Sequence, residues 1–194
     1  MASYMFLCLE ILHARQPLVF GCGLDSAFYL ELNPRTVFIE NLSEWVDVAN
    51  LSCSKCVHPV AYSTVMREDG ALLDDADIPL IDVPELRGMA FDFILIDAPH
   101  GRKAGQPGRF QPVKFAAHQR SLGHLQHVCL HDLQRPVERA LFERYFGVPD
   151  DVLSNGEGMQ MLGCTRFRSE EPPPSITKLV DRKALLGGKI KGNG

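Results

Sequence analysis

Five short apolar runs, each separated from the next by a longer amphipathic or polar stretch, constrain this chain more than any other feature. The runs are Pro17-Leu18-Val19-Phe20, Thr36-Val37-Phe38-Ile39, Val57 to Tyr62, Phe91 to Ile96 and His127-Val128-Cys129-Leu130. Runs that are apolar at nearly every position belong to strands covered on both faces. Helical patterns lie between them: Asp25 to Leu32, a short segment capped by Ser43 that carries Trp45 and Val48, and Pro136 to Phe146 with Val137, Ala140, Leu141 and Tyr145 at helical spacing. Strands alternating with helices predict a mostly parallel sheet with helices on both sides. Asp151 to Phe167 then contains Asn155-Gly156, a hairpin signal, with Met159 to Phe167 as the return strand. The predicted fold is α/β and Rossmann-like: a seven-stranded, mostly parallel sheet closed by a C-terminal antiparallel hairpin.

The chain of 194 residues is long enough for one domain with a sizeable core. We expect that domain over residues 1-168. The stretch 169-194, with three successive prolines and a Lys/Gly-rich end, is expected to be a flexible tail. Hydrophobic residues at 45% and charged residues at 23% describe an ordinary globular composition. A net charge of −4, from 20 basic and 24 acidic residues, offers no electrostatic footprint for nucleic acid. No run approaches the roughly 20 apolar residues of a membrane helix. No basic leader or small-residue cleavage site marks a signal peptide, so the sequence reads as soluble, compatible with the cytoplasm. Cys53-Ser-Lys-Cys56 has the spacing of a zinc or redox pair, but no second pair completes a four-ligand site, and we expect ordinary thiols there. Cys22, Cys129 and Cys164 lie in apolar runs and read as small core residues.

Function in such a sheet concentrates where the strands end. The first run leads into Gly21-Cys22-Gly23-Leu24-Asp25, a turn whose glycines let the backbone approach a ligand closely. The second ends on Glu40, roughly 20 residues further on, where a carboxylate can accept both hydroxyls of a ribose. Gly21, Gly23, Asp25 and Glu40 are therefore the candidate nucleoside-binding residues. The fourth run ends on Asp97 and the fifth on His131-Asp132. Adjacent strands lie about 4.8 Å apart, so these three polar groups are expected to converge beside the ligand. They can serve as general base and support, or as the O/N ligands of Mg²⁺, Mn²⁺ or Co²⁺.

Five segments, in order, then carry a family resemblance: Leu18 to Ser26 (LVFGCGLDS), Arg35 to Glu40 (RTVFIE), Phe93 to Gly101 (FILIDAPHG), Pro107-Gly108-Arg109, and Val128 to Asp132 (VCLHD). From about residue 17 to 167 the chain resembles the plant glucuronoxylan 4-O-methyltransferase and irregular-xylem 15 family, which includes arabinogalactan glucuronic acid methyltransferases. It departs from the usual pattern at Leu24, Asn41 and His100. The resemblance implies the class I methyltransferase fold and S-adenosylmethionine, held by Gly21, Gly23, Asp25, Glu40 and Asp97. It implies methyl transfer to O4 of glucuronic acid on a xylan-like polysaccharide partner, in the Golgi. Asp97, His131 and Asp132 are then the expected catalytic residues. Arg109, with Arg102 and Lys103 on the same loop, is the expected partner of the acceptor carboxylate. Tyr62 is expected to border the adenine or the acceptor. Two other readings stay open: a small-molecule O-methyltransferase of the same fold, and a non-catalytic scaffold in polysaccharide synthesis.

Overall fold

The computed structural model describes residues 2–50, 53, 55–154 and 160–167. The elements run α1 (Ala2–His13), β1 (Pro17–Phe20), α2 (Ser26–Leu32), β2 (Val37–Glu40), α3 (Ser43–Asn50), β3 (Val57–Pro59), β4 (Phe93–Ile96), α4 (Phe110–Ser121), β5 (His127–Leu130), α5 (Pro136–Phe146), β6 (Asp151–Ser154) and β7 (Met161–Arg166). The seven strands form one sheet in the order β3-β2-β1-β4-β5-β7-β6. β1 to β5 are mutually parallel, and β7 runs antiparallel to both β5 and β6. This is the predicted architecture. The Asn155-Gly156 turn and the expected tail lie outside the described residues.

Alternate side chains of each central strand feed two cores. On one face Leu18, Phe20, Ile94, Ile96, Val128 and Leu130 pack with Phe110 and Val113 of α4 and Leu141 and Phe142 of α5. On the other, Val19, Phe38, Leu95 and Cys129 pack with Leu7 and Ile11 of α1 and Tyr29 of α2. All four residues of β1, β2, β4 and β5 are buried, which is what the continuous apolar runs require.

No periodic signal marks α1 in the sequence. Apolar side chains lie on all sides of this helix: Ile11 is fully buried, while Met5, Leu9 and Leu12 remain exposed. Tertiary bonds hold it. His127 Nδ1 meets Glu10 Oε2 at 2.7 Å, and Arg166 on β7 bonds the other Glu10 oxygen. The loop that carries Arg102, Lys103 and Arg109 ends at Arg109, and Pro112 sits in the first turn of α4, where a missing N–H costs nothing. Cys129 and Cys164 are core residues, but they also face each other across β5 and β7 and form a disulfide. Cys53 and Cys56, expected as separate thiols, are likewise paired. Among the described residues no helix is long and apolar enough to cross a membrane.

Candidate active site

A cleft of about 610 Å³ opens along the carboxyl edge of the parallel strands. One wall is the turn after β1. Gly21 has φ +112°, a conformation that side chains rarely adopt, and a Cβ there would stand 3.0 Å from that of Ala98. The turn can therefore lie directly against the segment after β4. Glu40, buried at 3% exposure, ties one amide of this turn to two amides that follow its own strand. Glu40 Oε2 accepts from Cys22 N at 2.8 Å, and Oε1 accepts from Asn41 N at 2.6 Å and Leu42 N at 2.8 Å. A carboxylate offers about four lone-pair sites, so one remains for a ligand hydroxyl. Gly23 N donates to Ser26 Oγ at 2.9 Å, and Asp25 stands at the start of α2 beside the cleft. Burial and the Glu40 charge push the half-buried Cys22 thiol up to about 12, so it stays protonated.

The opposite wall is built from β4 and β5. Asp97 N and Ala98 N both donate to Phe20 O at 2.9 Å, and His131 N donates to Ile96 O at 2.9 Å. The sheet ladder thus continues one residue beyond each strand and brings the two ends together. Asp132 has φ +63°, the left-handed region, which turns the chain sharply at this point. His131 Nδ1 lies 3.3 Å from Asp97 Oδ1 and 3.7 Å from Asp132 Oδ1. Among the described residues its Nε2 has no partner.

Asp132 is a hub. Its Oδ2 accepts from Arg109 at 2.8 Å and from Arg135 at 2.7 Å, while Oδ1 accepts from Gln134 Nε2 at 3.2 Å and faces His131. Arg135 continues to Glu138 at 3.3 Å. Burial alone would raise the Asp132 pKa, but the His131 hydrogen bond and the Arg109 and Arg135 charges outweigh it and hold the carboxyl far below the usual range. Burial pulls the His131 imidazole down, and the hydrogen bond to Asp132 with the charges of Asp97 and Asp132 more than offsets it, leaving its pKa above the ordinary value. Asp97 sits deep in the cleft with about half its side chain open to solvent. Its desolvation raises its pKa against the pull of His131 and Arg109.

Arg109 stands where the sequence did not place it. It is not a free cation on a loop but is 4% exposed. Its guanidinium bonds the His131 carbonyl, the Asp97 carbonyl at 2.9 Å, Asp97 Oδ1 at 3.3 Å and Asp132 Oδ2. Gly108 makes this entry possible: its φ is +68°, and a Cβ there would meet Met66 Sδ and the Phe110 ring at 2.8 Å. With these donors committed, Arg109 clasps the ends of β4 and β5 and has little to offer an acceptor carboxylate. Tyr62 is also displaced from its expected role. It packs against the core, its hydroxyl is buried without a partner among the described residues, and it does not line the cleft. Sequence reasoning missed Arg135, Gln134 and the cleft-lining Tyr4 and Leu7 of α1. The Arg135-x-x-Glu138 charge spacing at the start of α5 was a usable signal for the first of these; α1 offered none.

Asp97, His131 and Asp132 bring one ligand atom each within 4.8 Å of one another. Asp97 and His131 retain an unused oxygen and nitrogen and fit a divalent cation. Asp132 fits it poorly, since its four acceptor sites already meet donors.

The sheet order, with an antiparallel seventh strand inserted beside the fifth and a cleft at the carboxyl edge, defines a class I methyltransferase-type domain. By sequence the chain is similar to plant polysaccharide O-methyltransferases. It is 31% identical to arabinogalactan O-methyltransferase 2 of Arabidopsis thaliana over 169 residues, covering 72% of this chain and 58% of that protein. It is 30% identical to glucuronoxylan 4-O-methyltransferase 3 of the same plant over 144 residues, 62% of this chain and 48% of the relative. The chain thus spans about half the length of the curated relatives it matches. No protein-family model matches it. Among solved structures it is similar to a methyltransferase-like protein of Silicibacter pomeroyi (18% identity, TM-score 0.48, 92% of each chain). It is also similar to human methyltransferase-like protein 13 in complex with SAH (15% identity, TM-score 0.47, 99% of this chain and 93% of that one).

Proposed function

We propose that this chain is an S-adenosylmethionine-dependent O-methyltransferase acting on glucuronic acid residues of a polysaccharide, at O4 of a xylan-like acceptor, in the Golgi. One observation carries the reading: a single cleft joins a glycine turn cradled by a strand-end carboxylate to an imidazole held by two aspartates. Its volume suits a cofactor and part of an acceptor. The polysaccharide acceptor and its uronate follow the names of the relatives above, and the compartment follows the family resemblance of the sequence.

When bound, S-adenosylmethionine supplies an electrophilic methyl carbon on a sulfonium sulfur. Gly21, Gly23, Asp25, Glu40 and Asp97 hold and orient it, Glu40 through its remaining lone pair. Asp97 and Asp132 keep the His131 proton on Nδ1, so Nε2 presents a lone pair to the cleft. His131 Nε2 would take the acceptor hydroxyl proton, leaving that oxygen free to accept the methyl group that the bound cofactor would supply. Such a positioned base is worth about 10²- to 10⁴-fold. A divalent cation on Asp97 and His131 would act instead by lowering the hydroxyl pKa.

The test is transfer of labelled methyl groups to a panel of glucuronoxylan and arabinogalactan oligosaccharides, neutral xylan and simple phenols, with and without chelator. Label on the uronate acceptors supports the reading. Label on phenols alone moves the activity to small molecules, and no transfer at all, with the cofactor bound, favours a scaffold. Loss of transfer with chelator and recovery with Mn²⁺, Co²⁺ or Mg²⁺ assigns the metal route.

A further inference from the structure

We infer that Arg102 is the cation that receives the acceptor's carboxylate, an inference that rests on the reading just given. Four carboxylates line the cleft: Asp25, Glu40, Asp97 and Asp132. An acidic sugar entering beside a half-exposed Asp97 meets a like charge unless a cation is available. Three arginines line the same cleft, and two of them are committed. Arg109 is buried against Asp97 and Asp132, and Arg135 bridges Asp132 and Glu138. Arg102 is exposed, and among the described residues its side chain has no partner.

The backbone presents it firmly. Arg102 N and Lys103 N donate to Gln106 Oε1 at 2.7 and 2.9 Å. Gln106 O in turn accepts from Met66 N at 2.7 Å, and Gly108 N donates to His100 O at 3.0 Å. The loop is thereby closed at its base and braced near its tip, so a free guanidinium is held at the rim on a fixed backbone. A guanidinium matches a carboxylate through two parallel hydrogen bonds, a geometry that an ammonium cannot reproduce. Arg102 therefore sets the preference for a uronate over a neutral sugar, while Arg109 maintains the catalytic corner.

The cofactor also carries a carboxylate, so the experiment separates two sources of the same chemistry. Wild type, Arg102→Ala and Arg102→Lys are compared by calorimetry for S-adenosylhomocysteine, and then for a glucuronate-bearing oligosaccharide with S-adenosylhomocysteine present. KM and kcat are measured on that oligosaccharide and on its neutral, carboxyl-reduced form. Arg102→Ala should weaken uronate binding and raise its KM roughly 10- to 100-fold, the scale of one charge-assisted pair. Arg102→Lys should recover part of this, and cofactor affinity should not move. A parallel loss of cofactor affinity, or equal losses on charged and neutral acceptors, overturns the inference. If wild type binds the uronate through Arg102 but transfers no methyl group, the proposed reaction fails and the assignment of Arg102 stands. If wild type does not bind the uronate, the assignment of Arg102 falls.

Discussion

Glu40 and Asp132 are both buried carboxylates at the ends of parallel strands, 3% and 5% exposed, on opposite walls of one cleft. They are satisfied in different ways. Glu40 is held by three backbone amides, from Cys22, Asn41 and Leu42. Asp132 is held by side chains: Arg109, Arg135, Gln134 and His131. A cradle of amides needs only the right turn and carries no titratable partner. A hub of side chains requires Arg109, from the loop before α4, to meet three residues of the connection between β5 and α5, and it couples their charges. The first arrangement suits a wall that binds, and the second suits a wall that must set the protonation of an imidazole.

That contrast can be broken most severely at the imidazole. His131→Ala should lower kcat by about 10²- to 10⁴-fold, and Asp97→Ala by at least about 10²-fold, with circular dichroism and cofactor affinity retained for His131→Ala. Near-normal turnover in both variants would reduce the corner to a structural joint. The next largest effect is expected at the clasp. Arg109→Met leaves a buried Asp132 with one cation fewer and should cost about 3–5 kcal/mol of stability, read as a lowered midpoint in denaturant. An unchanged midpoint would mean that Arg135 alone satisfies Asp132.

On the amide-built wall the expected change is in affinity rather than rate. Glu40→Ala should weaken S-adenosylmethionine roughly 10- to 100-fold, by loosening the turn and removing the ribose acceptor, while kcat at saturation stays within a few fold. Equal affinity in calorimetry would remove Glu40 from the cofactor site. The smallest effect is a shift in pH dependence. Because the His131 pKa lies above its ordinary value of about 6.5, and the base works unprotonated, the rate should fall as pH drops through an inflection on the alkaline side of 6.5. Asp132→Asn removes the hydrogen-bonded charge that raises this pKa and should move the inflection to lower pH. An unmoved inflection would show that Asp132 does not set the imidazole, and the two walls would then differ only in their construction.

The strands, their alternation with helices as parallel units, the hairpin that closes the sheet and the polar residues at the strand ends were all legible in the residue order. These are local matters. Continuous apolar runs specify strands buried on both faces, and a polar residue directly after such a run must emerge at the sheet edge. Gly21 was legible because a turn with positive φ, pressed against Ala98, admits no side chain. What the charged residues of the loop do was settled by folding alone. Arg102 and Arg109 lie seven positions apart on one basic loop, and nothing in their spacing separates a free cation from a buried one. The distinction arises because Gly108 lets the chain turn inward and Arg109 then meets Asp132, 23 residues distant in sequence. The same holds for Tyr62, which packs in the core, and for α1, whose apolar surface shows no face until Glu10 meets His127 across 117 residues. Periodicity is a property of neighbours along the chain. Charge pairing depends on distance in space, and that distance is fixed only when the loops close over the sheet.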